Sequence, residues 1–325
     1  MSRIVIATPA PPGSRRGNRV TAERWADLIS QLGHTVNVVE RYNDQEADAL
    51  IALHAGRSAP SVRQFRDQYR ERPLLLAVTG TDVYGGEFDR GVVTQSLELA
   101  DRILVLQPKT ADDLPAALRA KVRVIYQSAE PPTRRESPRK GVFEVGVVGH
   151  LRPVKDPFRA AEAVRLLPPS TTVHIVQLGK ALSPGMAERA QKETETNPHY
   201  EWLGDLPHEE ALAVLARCRL LAVTSLSEGG PAVIAEAIVA GVPVVATRVS
   251  GCVGTLGDEY PGYFAVGDTR ALAALLDRAE RDAGFYDSLR TACEARRPLF
   301  RPEAELAAWR AVLAEVGIGR DPAGA

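Results

Sequence analysis

This 325-residue chain predicts an α/β architecture of two parallel-sheet domains, and three features carry the prediction. Short apolar runs alternate with helical stretches from Arg3 to Tyr126, the pattern of strands joined by crossover helices in a parallel sheet. A second alternating series starts at Phe143. Between the two lies Ser128 to Gly141, a polar, proline-rich segment without apolar period that reads as a linker. At roughly 150 residues per domain the length fits two, the first drawn at 1–127 and the second at 128–302.

Taken in order, Arg3 to Thr8 reads as the first buried strand. The loop Pro9 to Gly17 holds three prolines and two glycines, and a helix follows from about Asn18 to Leu32. A nucleotide-binding-type unit begins this way. Further strands are predicted at Val36 to Glu40, Ala49 to His54, Leu74 to Thr79, Ile103 to Leu106 and Val122 to Tyr126, with helices at Ser61 to Tyr69 and Val92 to Ala100. In the second series the strands are Phe143 to Val148, Thr172 to Gln177, Tyr200 to Leu203, Leu220 to Thr224 and Val242 to Thr247. From Arg270 onward the pattern is helical, with apolar positions at Leu272, Leu275, Leu276 and Ala279, then Leu306, Trp309, Val312 and Leu313.

Composition narrows the function. A formal net charge of −1 gives no support for a nucleic-acid or membrane-surface protein, which carries a basic excess. The three cysteines, Cys218, Cys252 and Cys293, are far apart, odd in number and without metal-ligand spacing, so they read as reduced thiols. No apolar run approaches the roughly 20 residues needed to span a bilayer. A soluble, cytoplasmic protein with small-molecule partners is expected.

The most informative stretch is Glu228 to Thr247. The run Leu220 to Val223 reads as a buried parallel strand, Gly229-Gly230 as a tight turn, and Pro231 as a first helical residue. On the helix that follows, Glu236 is the only charged residue among apolar neighbours, so it is expected to be buried and in need of a partner. A ribose diol donates two hydrogen bonds to one carboxylate and would satisfy it. Glycine N–H groups at the helix start favour a phosphate. Together these suggest a nucleotide pocket. The alternative is an ordinary strand and helix with Glu236 at a solvated edge.

After the strand ending at Val148 comes Gly149-His150-Leu151-Arg152-Pro153-Val154-Lys155, which sets two cations at the carboxyl edge of the sheet, where ligands bind in open α/β folds. Arg152 and Lys155 are placed to stabilise the charge that develops on a departing nucleoside diphosphate. In the first domain the loops bring Arg15, Arg16, Gly17, Asn18 and Arg19 to a helix N-terminus, His54 and Arg57 to the end of one strand, and Thr79-Gly80-Thr81-Asp82 to another. Cations and backbone donors there favour an anionic or polyhydroxylated acceptor. His54 is a candidate base, or a structural histidine. No Gly-x-Gly-x-x-Gly follows the first strand, no Walker phosphate loop occurs, and no Asp-x-Asp pair is present to hold a metal. A metal-independent site without a cofactor is therefore expected.

Glu228 and Glu236, eight positions apart and followed by Ala-Gly-Val-Pro-Val-Val-Ala, resemble the donor site of glycosyltransferases with the GT-B fold. That resemblance implies two Rossmann-like domains facing across a cleft, with a last helix, here about 303–325, crossing back to the first. It also implies that Arg152 and Lys155 hold the diphosphate, that Glu236 holds the ribose with Gly149, Gly229 and Gly230 nearby, and that Glu228 sits nearest the donor sugar. Read end to end, the chain is similar to the selenosugar synthases of selenoneine biosynthesis. The matching stretches are Gly17-Asn18-Arg19-Val20-Thr21-Ala22-Glu23-Arg24-Trp25, Leu53-His54-Ala55-Gly56-Arg57-Ser58-Ala59, Thr79-Gly80-Thr81-Asp82, Gly149-His150-Leu151-Arg152, Glu228-Gly229-Gly230 and Tyr260-Pro261-Gly262-Tyr263. The implied reaction moves a sugar of the glucose or N-acetylglucosamine type from a UDP-sugar to selenophosphate. Gly17, Asn18, Arg19, His54, Arg57, Thr81 and Asp82 are the implied acceptor contacts. Other readings are transfer to a sugar or small alcohol, isomerisation of a nucleotide sugar, and binding of a UDP-sugar without turnover.

Overall fold

Two six-stranded sheets, every strand parallel to its neighbours, carry the chain in the computed structural model, which describes residues 1–14, 17–80, 89–134 and 136–319. The chain divides into two compact units. Unit 1 is Met1–Gln127 with the chain from Pro302 onward, and unit 2 is Ser128–Arg301.

In unit 1 the strands are β1 (Arg3–Ala7), β2 (Thr35–Val39), β3 (Ala49–Leu53), β4 (Leu74–Val78), β5 (Arg102–Val105) and β6 (Val122–Val124), in spatial order β2-β1-β3-β4-β5-β6. Helices α1 (Gly17–Gln31), α2 (Ala59–Gln68) and α3 (Arg90–Leu99) connect them. Because helices cover both faces, β3 and β4 are buried at every position, which is why they read as unbroken apolar runs. Ile4 and Ile6 pack with Trp25 of α1, while Val5 and Ala7 pack on the other face with Phe65 of α2.

Unit 2 contains β7 (Phe143–Val148), β8 (Val173–Leu178), β9 (Tyr200–Trp202), β10 (Leu220–Val223), β11 (Val244–Thr247) and β12 (Tyr263–Phe264), ordered β12-β11-β10-β7-β8-β9. Its helices are α4 (Arg159–Val164), α5 (Pro184–Thr196), α6 (His208–Arg217), α7 (Ala232–Ala240), α8 (Ser250–Leu256), α9 (Thr269–Arg281) and α10 (Ala283–Arg296). The final helix, α11 (Pro302–Glu315), returns to unit 1 and lies on α1. Trp309 meets Trp25 edge-on with centroids 4.9 Å apart, and the buried Glu305 carboxylate accepts from Arg24 Nε at 2.9 Å and Trp25 Nε1 at 3.1 Å.

Several strand ends differ from the sequence reading in the same direction. Thr8, His54, Thr79, Leu106, Tyr126 and Thr224, each predicted as a last strand residue, lie just past the observed strands. Thr8, His54, Leu106 and Thr224 remain buried after pairing ends, so burial outlasts the strand. Val242 and Pro243 precede β11 rather than opening it. Gly241 closes α7 in a left-handed conformation (φ 81°), and the N–H of Val242 bonds back to Ala237 at 2.8 Å, a helix-ending motif that keeps both residues out of the strand.

Candidate functional site

Chain order reverses direction in each sheet, and the crevice at such a switch point is where ligands bind in open α/β folds. In unit 2 the reversal falls between β7 and β10, whose following loops carry Gly149 to Asp156 and Thr224 to Glu228. These two loops meet. Lys155 Nζ donates to Glu228 Oε1 at 2.5 Å, and Ser225 Oγ donates to the same oxygen at 2.5 Å. The Glu228 side chain is 9% exposed and that of Lys155 23%.

Backbone contacts hold the pair. Thr224 Oγ1 donates to the carbonyls of Lys155 and Asp156, both at 2.9 Å, and Leu226 N–H reaches Val154 O at 2.8 Å. Thr247, at the end of β11, donates to Ser225 O at 2.6 Å. Lys155 closes a 3-10 turn, Pro153–Lys155, which ends on Asp156 at φ 42°. The neighbouring loops are equally close: a Cβ on Gly179 would strike the Gly149 carbonyl and lie 2.9 Å from His150 N. A cavity of about 20 Å³, lined by Gly149, Lys155, Gln177, Thr224, Ser225 and Glu228 among others, opens beside the pair and holds about one water. Gln177 Oε1 is buried without a hydrogen-bond partner among the described residues. Gln177, Ser225, Thr224 and Thr247 all escaped the sequence reading, because none is unusual until the topology gathers them.

Two expectations around α7 need correction. Pro231 is the residue before the helix, with ψ 98°, and α7 begins at Ala232. The chain bends at Gly229, and neither Gly229 nor Gly230 takes a positive φ, so the turn there does not draw on the left-handed freedom of glycine. Glu236 is not a buried carboxylate: its side chain is 20% exposed, with Oε1 3.8 Å from His208 Nε2 on α6. The first turns of α7 stand at the open edge of the sheet, so Ala232, Val233 and Glu236 form an accessible stripe while Ile234, Ala235 and Ala237 to Ala240 are buried. Arg152 is exposed at the head of the 3-10 turn and is not one of the side chains in the Lys155–Glu228 contact.

Unit 1 reverses direction between β1 and β3. Gly17 is the first residue of α1, and Asn18 is half-buried beside it. Arg19 is buried, with Nε 2.6 Å from Glu23 Oε1 and Nη1 lacking a partner among the described residues. That pair lies within its own helix, a partner not foreseen for a residue expected to contact the acceptor. Two buried hydroxyls that the sequence reading passed over, Thr8 Oγ1 and Ser14 Oγ, also lack partners among the described residues. After β3, His54 is buried in a left-handed conformation (φ 73°), a strained setting for a non-glycine residue. Its Nδ1 accepts the N–H of the exposed Arg57 at 3.2 Å. In the neutral ring that bond leaves the proton on Nε2. Arg15, Arg16, Thr81 and Asp82 lie outside the described residues.

The three cysteines are free and buried, and burial pushes their thiols up, to about 11 for Cys293 and about 12 for Cys218. Among the described residues no cluster of three His, Cys, Asp or Glu side chains is arranged to hold a metal ion, and no helix is long and apolar enough to cross a membrane.

Residues 129–296, just over half of the chain, match the family model for glycosyl transferases group 1. The chain is 30% identical over 207 residues to 2-deoxystreptamine glucosyltransferase of Streptomyces kanamyceticus, covering 58% of this chain and 53% of that protein, so the match spans about half the relative's length. In fold it is similar to HepE of Anabaena solved with UDP, at a TM-score of 0.78 and 17% identity over 97% of this chain and all of that one. Sucrose-phosphate synthase of Thermosynechococcus elongatus gives 0.76 at 16% identity, over 97% and 98%. These likenesses give unit 1 and unit 2 the GT-B fold.

Proposed function

This chain belongs to the glycosyl transferases group 1 family, and from that premise we propose that it transfers a sugar from a UDP-sugar to selenophosphate. The observation that carries the donor half is the Lys155–Glu228 contact at the β7/β10 switch point, with Glu236 on the accessible stripe of the adjoining helix. Lys155 Nζ has three N–H donors, of which Glu228 takes one, so it can face a diphosphate while still holding the carboxylate. Arg152, exposed on the same loop, adds a second cation. Glu236 takes the ribose hydroxyls, and Glu228 faces the sugar. Structural relatives solved with UDP and with UDP-glucose support the choice of nucleotide.

For the acceptor, the support is the run of stretches similar to selenosugar synthases together with the state of His54. Selenium of selenophosphate attacks C1 of the sugar, and the C1–O bond to the diphosphate breaks with its electron pair leaving on UDP. Water then cleaves the Se–P bond, giving phosphate and the selenosugar. An already ionised nucleophile needs no base, which suits a histidine whose Nδ1 is occupied. Metal independence and a cytoplasmic setting are part of the same proposal, resting on the missing Asp-x-Asp pair and the buried free thiols. A second reading is favoured by the 30% identity to a glucosyltransferase named for 2-deoxystreptamine, namely a small polyhydroxylated acceptor.

Mass spectrometry of products separates these readings. UDP-glucose and UDP-N-acetylglucosamine are incubated with and without selenophosphate. Selenophosphate-dependent UDP release with a selenium-bearing sugar product is expected. UDP release only with a polyol acceptor would transfer the account to the second reading, and epimerised donor without any acceptor would make the protein an isomerase.

A further inference from the structure

Glu228 is backed by a glycine that the transfer chemistry does not touch. Gly251 is the second residue of α8 and has no positive φ, so conformational freedom is not what it supplies. It supplies room. A Cβ built on Gly251 would strike the Glu228 carbonyl oxygen and lie 2.6 Å from its carbonyl carbon and 2.7 Å from its Cβ, where real Cβ atoms essentially never approach within 3.0 Å. The backbones of α8 and of the Glu228 segment are therefore in direct contact with no side chain between them.

Neither partner yields easily. Residues Gly251 to Leu256 are all buried, and the Gly251 carbonyl accepts from Thr255 Oγ1 at 2.7 Å. The start of α8 follows directly from the end of β11, with Val249 N–H on Thr247 O and Val253 N–H on Val249 O, both at 2.9 Å. Thr247 in turn donates to the carbonyl of Ser225, whose hydroxyl holds the Glu228 carboxylate. One face of Glu228 is thus set by close backbone contact and its carboxylate by a hydroxyl tied to the same strand end.

We propose that Gly251, together with Ser225 Oγ, is a positioning residue that fixes where the Glu228 carboxylate stands. The inference rests on the reading of Glu228 as the group facing the donor sugar. A methyl at 251 must push the Glu228 backbone by most of an ångström. A misplacement of about 1 Å at a reacting group can cost on the order of 100-fold in turnover.

The test is a double-mutant cycle. Gly251→Ala and Ser225→Ala are each made in the parent and in Glu228→Ala, and UDP release is measured at saturating UDP-glucose or UDP-N-acetylglucosamine with selenophosphate. Folding is checked by circular dichroism and UDP affinity by calorimetry. Gly251→Ala should lower kcat by about 100-fold in the parent, while the UDP dissociation constant, set by Glu236, stays near the parent value. In the Glu228→Ala background the same change should have almost no further effect, because the group it acts through is gone. If Gly251→Ala does not fold, Ser225→Ala, which adds no atom, runs the same cycle with an expected loss of about 10-fold. Equal fold losses in both backgrounds would overturn the proposal. Parent-like turnover in Glu228→Ala would instead remove the reading of Glu228 on which it stands, and a parent that releases no UDP with selenophosphate removes that acceptor, after which the same cycle is run with a polyol acceptor.

Discussion

Removing the charge of Lys155 should destabilise the protein more than removing the charge of Glu228. The two groups share one ion pair at 2.5 Å, but Glu228 is 9% exposed and Lys155 23%. Lys155→Met leaves a nearly buried carboxylate with Ser225 Oγ as its remaining donor of this pair of contacts. Losing one charge-assisted bond costs about 1.5–3 kcal/mol, and stranding a fully buried charge costs about 3–5 kcal/mol. The partial exposure of the lysine end argues for the lower range, about 2 kcal/mol. Glu228→Gln keeps an oxygen for Ser225 and strands only an ammonium that water reaches, so about 1 kcal/mol is expected. With both changes made the losses should not add, and a coupling of at least about 1 kcal/mol should appear. Urea denaturation of the four proteins reads all three numbers. Single losses that sum to the double loss within about 0.5 kcal/mol would show that the two side chains are not paired.

Three further outcomes follow from particular residues. His54→Asn should retain the fold better than His54→Val, because asparagine tolerates the left-handed backbone at φ 73° and a β-branched residue does not; a lower melting temperature for the asparagine variant would contradict that geometry. Cys218, Cys252 and Cys293 should resist iodoacetamide at pH 8 in the native state and react on unfolding, since burial holds the thiols neutral; rapid native labelling, counted by mass, would show them accessible. Burial, and next the Arg139 guanidinium, hold the His174 imidazole below its ordinary 6.5. The unfolded chain therefore takes that proton first, so this residue's share of stability is present above pH 6.5 and declines as pH falls below it. The urea midpoint between pH 7.5 and 5.5 should fall less steeply in His174→Gln, and an identical slope would exclude the effect.

What was legible in the sequence and what was not divide along a physical line. The parallel sheets could be read because β3, β4 and β10 are buried on both faces and so appear as unbroken apolar runs. The returning helix announces itself only as an apolar period at Leu306, Trp309, Val312 and Leu313; its seat on Trp25 depends on a contact across 280 residues. Lys155 and Glu228 were each suggested by local pattern, but their contact spans 73 residues and needs the β7/β10 reversal to exist. The burial expected for Glu236 failed because an apolar helix reads as buried all round, whereas its exposure depends on where α7 starts relative to the sheet edge. Gly251 gave no signal, since a glycine needed for close approach looks like any other until its neighbour is known.

The central claim is that the start of α7 and the Lys155–Glu228 loops form a nucleotide site, and calorimetric titration of UDP tests it most directly. Each ribose hydroxyl should lose a charge-assisted bond of roughly 1.5–3 kcal/mol when Glu236 becomes glutamine, so UDP should bind the parent at least about tenfold more tightly than Glu236→Gln. UDP binding the two proteins equally, or not binding the parent, would place the nucleotide elsewhere and contradict the account.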